Sequence, residues 1–318
     1  MQIFVTGATG FAGSHLLDQL LAQGHHVTAL MHAATSHQSL PDHPRLTAVT
    51  GDLLDPESLK TAVTSVKPDV IYHLAGQAYP ALSWNKPALT LAINTGGVAN
   101  LLDAAVAAGR PRVVIVTSAE IYGYVTASEL PLTEQSTPQP RHPYGVSKWA
   151  AGMLTAVYWQ RYQLPVVEAR PFNHIGPRQA LGFVVPDFAS QLAAIKLGRQ
   201  PAKIAVGNLD AQRDFSDVRD VVRAYIALAE RGQPGEAYII CSGQPVSIHY
   251  LLNTLIAAAE VNVEVSYDPA RMRPSDTPCL YGSYAKIKRD TGWQPEIHLR
   301  QALNDALADW LDRLENAM

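Results

Sequence analysis

Gly7-Ala-Thr-Gly10-Phe11-Ala-Gly13 follows the apolar run Ile3-Phe4-Val5 and precedes a helical pattern of Leu16, Leu17, Leu20 and Leu21 that closes at Gly24. The order strand, glycine turn, helix gives this spacing its meaning, because each glycine has a separate task. Gly7 permits a tight turn, Gly10 lets backbone approach a pyrophosphate, and Gly13 lets the helix lie close to a strand. The amides at the helix N-terminus then face the phosphates. The stretch predicts a dinucleotide site at the first turn of a parallel sheet.

Working outward, residues 27–30, 46–49, 70–74, 113–116, 166–170 and 237–241 are short apolar runs separated by helical patterns such as 87–109 and 217–231. With 3–5 they make about seven strands. Strands alternating with helices predict an α/β, Rossmann-like, doubly wound parallel sheet that binds ligands beyond the carboxyl ends of its strands. Residues 1–173, with returning segments near 214–242, are expected to form the dinucleotide-binding domain. Residues 174–213 and 243–318 are expected to form a smaller, mainly C-terminal substrate-binding domain, with amphipathic helices at 251–259 and 299–314.

The second strand ends in Met31-His32-Ala33, which offers neither the acid that bonds a ribose 2′-hydroxyl nor the arginine that accommodates a 2′-phosphate. NADP and NAD therefore both remain open, and the missing acid tilts the reading towards NADPH. Asp52 and Leu53 end the third strand, where Asp52 can reach an adenine amino group. Leu74-Ala75-Gly76 ends the fourth, where small residues let the nicotinamide-side ribose approach; Gln77 follows, and Asn94 lies on the 87–109 helix.

The 318 residues are 47% apolar and 17% charged with a net charge of −3, which excludes general disorder and any global basic field for nucleic acid. Two distant cysteines without CxxC speak against a zinc site or disulfide framework. His25, His26, His32, His37 and His43 lack ligand spacing and read as solvated loop residues, so no metal is expected. No apolar run approaches ~18 residues and the chain enters its first strand directly, so a cytoplasmic protein without a membrane span is expected.

Tyr144-Gly-Val-Ser-Lys148 puts a phenol and an ammonium on one helical face. A tyrosine has a pKa of about 10, and a nearby ammonium is expected to lower it towards useful acid-base chemistry. The fifth strand runs into Thr117-Ser118-Ala119-Glu120, so Ser118, Glu120, Tyr144 and Lys148 are expected around one crevice, with Ser118 within reach of both a substrate oxygen and Tyr144.

Gly7/Gly10/Gly13, Asp52, His73-Leu74-Ala75, Asn94, Ser118 and Tyr144 with Lys148 together resemble the extended short-chain dehydrogenase/reductases that act on nucleotide sugars, over essentially the whole chain. The resemblance implies a seven-stranded sheet and a dinucleotide held by Gly7, Gly10, Phe11, Gly13, Asp52, Leu53, Leu74, Ala75, Gly76, Asn94 and Pro171. It makes Tyr144 the proton donor or acceptor and gives Lys148 a hydrogen bond to the nicotinamide ribose. A homodimer through the helices after Pro87 and around Tyr144 is implied in the same way.

Gly207-Asn208-Leu209 followed by Arg213-Asp-Phe215 resembles the GDP-sugar branch of that family, and Arg271-Met-Arg273 repeats the basic theme. Two arginine-bearing loops suit a diphosphate. Gln77, Ser118, Glu120, Asn173, Phe183, Asn208, Arg213 and Arg273 are the expected substrate-side residues, for a GDP-linked hexose. Phe172-Asn-His-Ile-Gly-Pro177, Leu181-Gly-Phe183 and the run from Arg213 to Asp220 are most similar to GDP-4-keto-6-deoxy-mannose reductases. This implies hydride transfer to C4, giving a GDP-6-deoxyhexose such as GDP-rhamnose. The sister GDP-mannose 4,6-dehydratases use a second small polar residue in a Thr-Ser-Glu-like triplet; here it is Ser118-Ala119-Glu120, and Ala119 can neither donate nor accept a hydrogen bond. A GDP-sugar epimerase and a non-catalytic NAD(P)-binding regulator complete the alternatives, the intact Ser118/Tyr144/Lys148 set arguing against the last.

Overall fold

Ile3, Phe4 and Val5 expose no surface, because β1 (Gln2–Thr6) runs through the middle of a sheet covered on both faces. The computed structural model describes residues 1–32, 40–269 and 277–316. After β1 come α1 (Phe11–Ala22), β2 (His26–Met31), β3 (Leu46–Thr50), α2 (Pro56–Val66) and β4 (Val70–His73). Next are α3 (Pro80–Asn85), α4 (Pro87–Leu91), α5 (Gly97–Ala107), β5 (Arg112–Val116), α6 (Pro143–Tyr162) and β6 (Val166–Pro171). The chain continues through β7 (Asn173–Ile175), α7 (Val184–Lys196), β8 (Lys203–Val206), β9 (Gln212–Asp217), α8 (Val218–Arg231) and β10 (Ala237–Ile240). It ends with β11 (Pro245–Ser247), α9 (Ile248–Ala259), β12 (Glu264–Tyr267), β13 (Cys279–Leu280), α10 (Ala285–Thr291) and α11 (Leu299–Glu315).

Seven strands in the order β10-β6-β5-β4-β1-β2-β3 form one all-parallel sheet. The two-residue alternation of β1 divides its side chains. Ile3 and Val5 join the core that includes leucines of α1 and most of α8, while Phe4 joins the core of α2, α5 and α6. The order reverses between β1 and β4, where strand ends leave the crevice in which such sheets bind ligands.

The other half has its own core, drawn from α7, α9, α11, β8, Leu209 and Phe215. Its strands are few and short: β9 pairs with β7, β11 and β13, and β8 pairs with β12. Three expectations change here. Arg213 lies in β9 rather than in a loop, so only 207–211 of that stretch is irregular. The division at 243 misplaces α10, whose Ile287, with the following Trp293, completes the core beneath α8, and Phe215 belongs with the substrate-side core. Of the histidines, His26 opens β2 and His32 pairs with Asp52, while His37 lies outside the described residues.

The helix expected over 87–109 is one rod from Pro87 to Ala107 with a π turn at Ala92–Gly96. Its mean hydropathy of 1.3 makes it long and apolar enough to cross a membrane, against the expectation that no run comes close. Val98, Leu101, Leu102, Ala104 and Ala105 are instead buried in the core shared with α2.

Candidate active site

The glycine turn is specified by space. Gly7 has φ +75°, and a Cβ there would stand 2.6 Å from the Ala75 amide nitrogen; a Cβ on Gly13 would stand 1.9 Å from Gly7 O. A Cβ on Gly10 would approach only Gly7 O, so that face of the turn is open. α1 begins there with no side-chain cap on Gly10 and no acid in its first turn, leaving helix amides directed at the opening. This cradle fits a dinucleotide pyrophosphate. Phe11 stacks on His174 (5.7 Å, 5°) and meets His15 edge-on, so the turn touches the other half directly.

Across the crevice, the π turn aims Asn94 inward. Its Oδ1 accepts from the Gln77 amide (2.8 Å), and its Nδ2 donates to Gln77 O (3.0 Å) and Ser147 Oγ (3.0 Å). Asn94 thus locks the loop after β4 against α6. Gly76 sits between these groups; a Cβ there would be 2.8 Å from Asn94 Oδ1 and 3.6 Å from Lys148 Nζ. Asp52 folds back on its own turn, accepting from the Leu54 amide (2.9 Å), and lies 3.5 Å from His32 Nε2. Leu53 lies under Gly97, and Pro171 ends β6.

Ser118, Tyr144 and Lys148 come together as the sequence predicts. All three are buried, and Ser118 stands near enough to Tyr144 to act on its phenol. Lys148 Nζ stands 6.0 Å from the Tyr144 ring centre and donates to Val116 O (2.9 Å). Below it, Glu168 accepts from Thr117 (2.7 Å) and pairs with Arg170; a Cβ on Gly152 would strike Glu168 Oε1 at 2.3 Å, so that glycine lets α6 lie over the ion pair. The electrostatics reverse one expectation. Burial pushes the Tyr144 phenol up to about 12, ahead of the Ser118 contact that pulls it down. Burial also pushes Lys148 down to about 8, opposed by Glu168. In this state Tyr144 is a protonated acid at neutral pH.

Glu120 lies beside this set, its carboxylate Oε2 3.0 Å from His142 Nε2. Its charge acts on both Tyr144 and Arg213, so it lies near both. Ala119 is buried in the apolar cluster of Ile121, Tyr122 and Phe172, so its methyl belongs to the floor beneath the crevice.

The remaining expected substrate residues are more engaged than their sequence context shows. Gln77 bonds Tyr79 and Thr90 with its amide, Asn173 donates to Asp214 O (3.1 Å), and Asn208 caps its own turn at Asp210. Phe183 packs on Tyr79 (5.1 Å). Arg213 is half-buried, donates to Gln212 O (2.7 Å) and feels Glu120. Arg271 and Arg273 lie outside the described residues. The sequence reading missed His142. Its signal was a histidine just before Pro143 at a helix start, where a Ser, Thr, Asp or Asn cap is usual.

The family model for GDP-mannose 4,6 dehydratase matches residues 4–306. The chain is 40% identical to a GDP-6-deoxy-D-mannose reductase of Pseudomonas aeruginosa over 98% of both chains. It is 28% identical to a GDP-mannose 4,6-dehydratase of Yersinia enterocolitica, over 96% of this chain and 92% of that one. The solved structure of RMD from Pseudomonas aeruginosa complexed with NADPH superposes with a TM-score of 0.87 at 39% identity, covering 98% of this chain and 99% of that one.

Proposed function

From a chain that belongs to the GDP-mannose 4,6 dehydratase family, we propose a reductase of GDP-4-keto-6-deoxy-D-mannose that yields a GDP-6-deoxyhexose such as GDP-D-rhamnose. The observation that carries this reading is likeness along the whole chain: 40% identity to a reductase over 98% of both chains, against 28% to a dehydratase. The site agrees, because Ala119, the residue between Ser118 and Glu120, is buried in an apolar cluster and offers no hydroxyl to an elimination. Tyr144, protonated at neutral pH, can serve as the acid that ketone reduction needs.

Gly7, Gly10 and Gly13 would hold NADPH by its pyrophosphate, and the cofactor would supply the hydride for sugar C4. Ser118 holds the carbonyl oxygen and Tyr144 protonates it as negative charge develops. Lys148, whose ammonium lies beside the Tyr144 ring, stabilises the phenolate that remains. Asn94 keeps the Gln77 loop and α6 at fixed separation, so that Lys148 stays beside Gly76 and the cofactor ribose it would bind. Asp52 and His32 take the adenosine end. Arg213, in β9, meets the diphosphate with a planar donor set, and Asn173, Phe183 and Asn208 border the sugar nucleotide. We divide the chain accordingly, the seven-stranded sheet with its helices and α10 binding dinucleotide, and the core of α7, α9 and α11 closing over the sugar nucleotide.

The reading includes a cytoplasmic homodimer. Val146, Met153 and Val157 form an exposed apolar stripe along α6, flanked by Leu89 of α4 and Trp84 of α3, which suits a second copy. Cys241 and Cys279 are free thiols, as in reducing compartments.

The test is incubation with GDP-4-keto-6-deoxy-D-mannose plus NADPH, and separately with GDP-mannose. Oxidation of NADPH at 340 nm with the keto sugar alone is expected. Conversion of GDP-mannose without net cofactor change overturns the reductase in favour of the dehydratase. In the same assay, Tyr144→Phe is expected to lose roughly a thousandfold in kcat while retaining NADPH binding.

A further inference from the structure

Three contacts converge on one imidazole that the mechanism above does not use. His142 is the N-cap of α6, and its Nδ1 accepts the Gly145 amide proton at 3.0 Å. A nitrogen that accepts cannot carry the ring proton, so in the neutral ring that proton sits on Nε2. Nε2 is 3.0 Å from Glu120 Oε2 and donates to it. The ring also stacks on Tyr144, with centres 5.9 Å apart and planes at 26°. Backbone packing reinforces the link: a Cβ on Gly145 would lie 2.8 Å from Glu120 O, so the first turn of α6 rests on the turn that carries Glu120.

A serine or asparagine would cap this helix equally well. Neither is long enough to bond Gly145 and Glu120 together. Histidine at this position therefore adds a second function to the cap: it ties the carboxylate of Glu120 to the helical turn that presents Tyr144. Glu120 is close to half-exposed, with its side chain at 42%, and its charge acts on both Tyr144 and Arg213, so its free oxygen faces a ligand entering beside the phenol.

We propose that His142 is a positioning residue that holds Glu120 as the acceptor of a hexose hydroxyl, in fixed register with the phenol of Tyr144 that protonates the neighbouring carbonyl. The proposal rests on the reductase reading and deepens it. It assigns Glu120 to orienting the sugar, with its Oε2 committed to His142. Hydride transfer and protonation both depend on the ketone meeting its donors in line, and small displacements of a bound substrate lower turnover steeply. The cost of losing the tie should thus appear in kcat, with cofactor affinity untouched.

The test uses His142→Asn and His142→Ser, both of which keep a capping atom for Gly145, alone and combined with Glu120→Ala, which removes the acceptor. Each single cap variant is expected to lower kcat on the keto sugar about tenfold, while NADPH affinity stays within about twofold. In the Glu120→Ala background the same substitutions are expected to cost nothing further, because the acceptor is already gone. Full activity of both cap variants, or losses that multiply in the double variants, overturns the proposal. The same four-variant cycle read by urea midpoints reports the contact without turnover: coupled midpoints support it and additive midpoints overturn it. A wild type that reduces no keto sugar but shows coupled midpoints overturns the reductase reading and retains the His142–Glu120 tie.

Discussion

At Gly13 an added Cβ would stand 1.9 Å from Gly7 O, and at Gly7 one would stand 2.6 Å from the Ala75 amide. The substrate half uses the opposite device at Asp214. That buried carboxylate accepts from the Ser242 amide (2.7 Å), the Ser242 hydroxyl (2.6 Å) and the Gly243 amide (2.9 Å), joining β9 to the connection between β10 and β11. The first region is ordered by side chains that are absent, so backbones can touch. The second is ordered by a side chain that gathers donors from distant segments. A backbone site of the first kind suits a cofactor shared by many enzymes, and a side-chain site of the second kind suits a particular sugar nucleotide.

Gly13→Ala attacks the first device where it is least forgiving. The obstacle is a carbonyl oxygen in a turn that also contacts β4, so nothing nearby can swing aside. Overpacking of this kind costs about 1–3 kcal/mol, and here the strain falls on the turn that receives the pyrophosphate. NADPH affinity, followed by fluorescence titration, is expected to fall roughly ten- to hundredfold. GDP-sugar affinity is expected to change little. A loss shared equally by both ligands would show that the two halves are not separately ordered.

Lys148 probes the seam between them. Its pKa is pushed down to about 8 by burial, so the ammonium is present below pH 8 and lost above it. The proposed mechanism uses that charge beside the Tyr144 phenolate, so kcat/KM is expected to fall above pH 8, approaching tenfold per unit once the lysine is mostly neutral. The contribution of Lys148 to stability has the opposite sign. Its folded pKa lies below the unfolded value, so the unfolded chain binds more protons between about pH 8 and 10.4, and this contribution to stability rises across that window. A kcat/KM that stays flat to about pH 9.5 would remove the lysine charge from the reaction.

The same contrast explains what the sequence could show. The glycine spacing, the seven strands and the Ser118/Tyr144/Lys148 set were legible because each depends on local order: strand then turn, apolar runs of strand length, a four-residue helical step. Between-segment chemistry was not. His142 looks like an ordinary residue before a proline until α6 is laid against the 119–121 turn. Asn94 and Gln77 read as ligand groups, yet Asn94 and Gln77 bond each other through side chain and backbone to hold their loop. The acidity of Tyr144 was misjudged for the same reason, since helical spacing shows that Lys148 is near but not how deeply both are buried.

Arg213 is where the substrate half can be challenged most gently. It sits in β9 immediately before Asp214, so the strand that carries its guanidinium is anchored by the carboxylate that gathers Ser242 and Gly243. Arg213→Lys preserves the positive charge and the strand but replaces a planar five-donor fork with a single ammonium. If the diphosphate is recognised by direction as well as charge, the KM for the GDP-sugar rises about fivefold, the equivalent of one charge-assisted hydrogen bond weakened by about 1 kcal/mol. NADPH affinity is expected to remain as in the wild type, since the substitution keeps β9 and its pairing with β7, the strand that meets the glycine turn. Initial rates at varied GDP-sugar and saturating NADPH measure this. An unchanged KM would mean that Arg213 serves the fold of β9 and the field around Glu120, and that the diphosphate is held elsewhere.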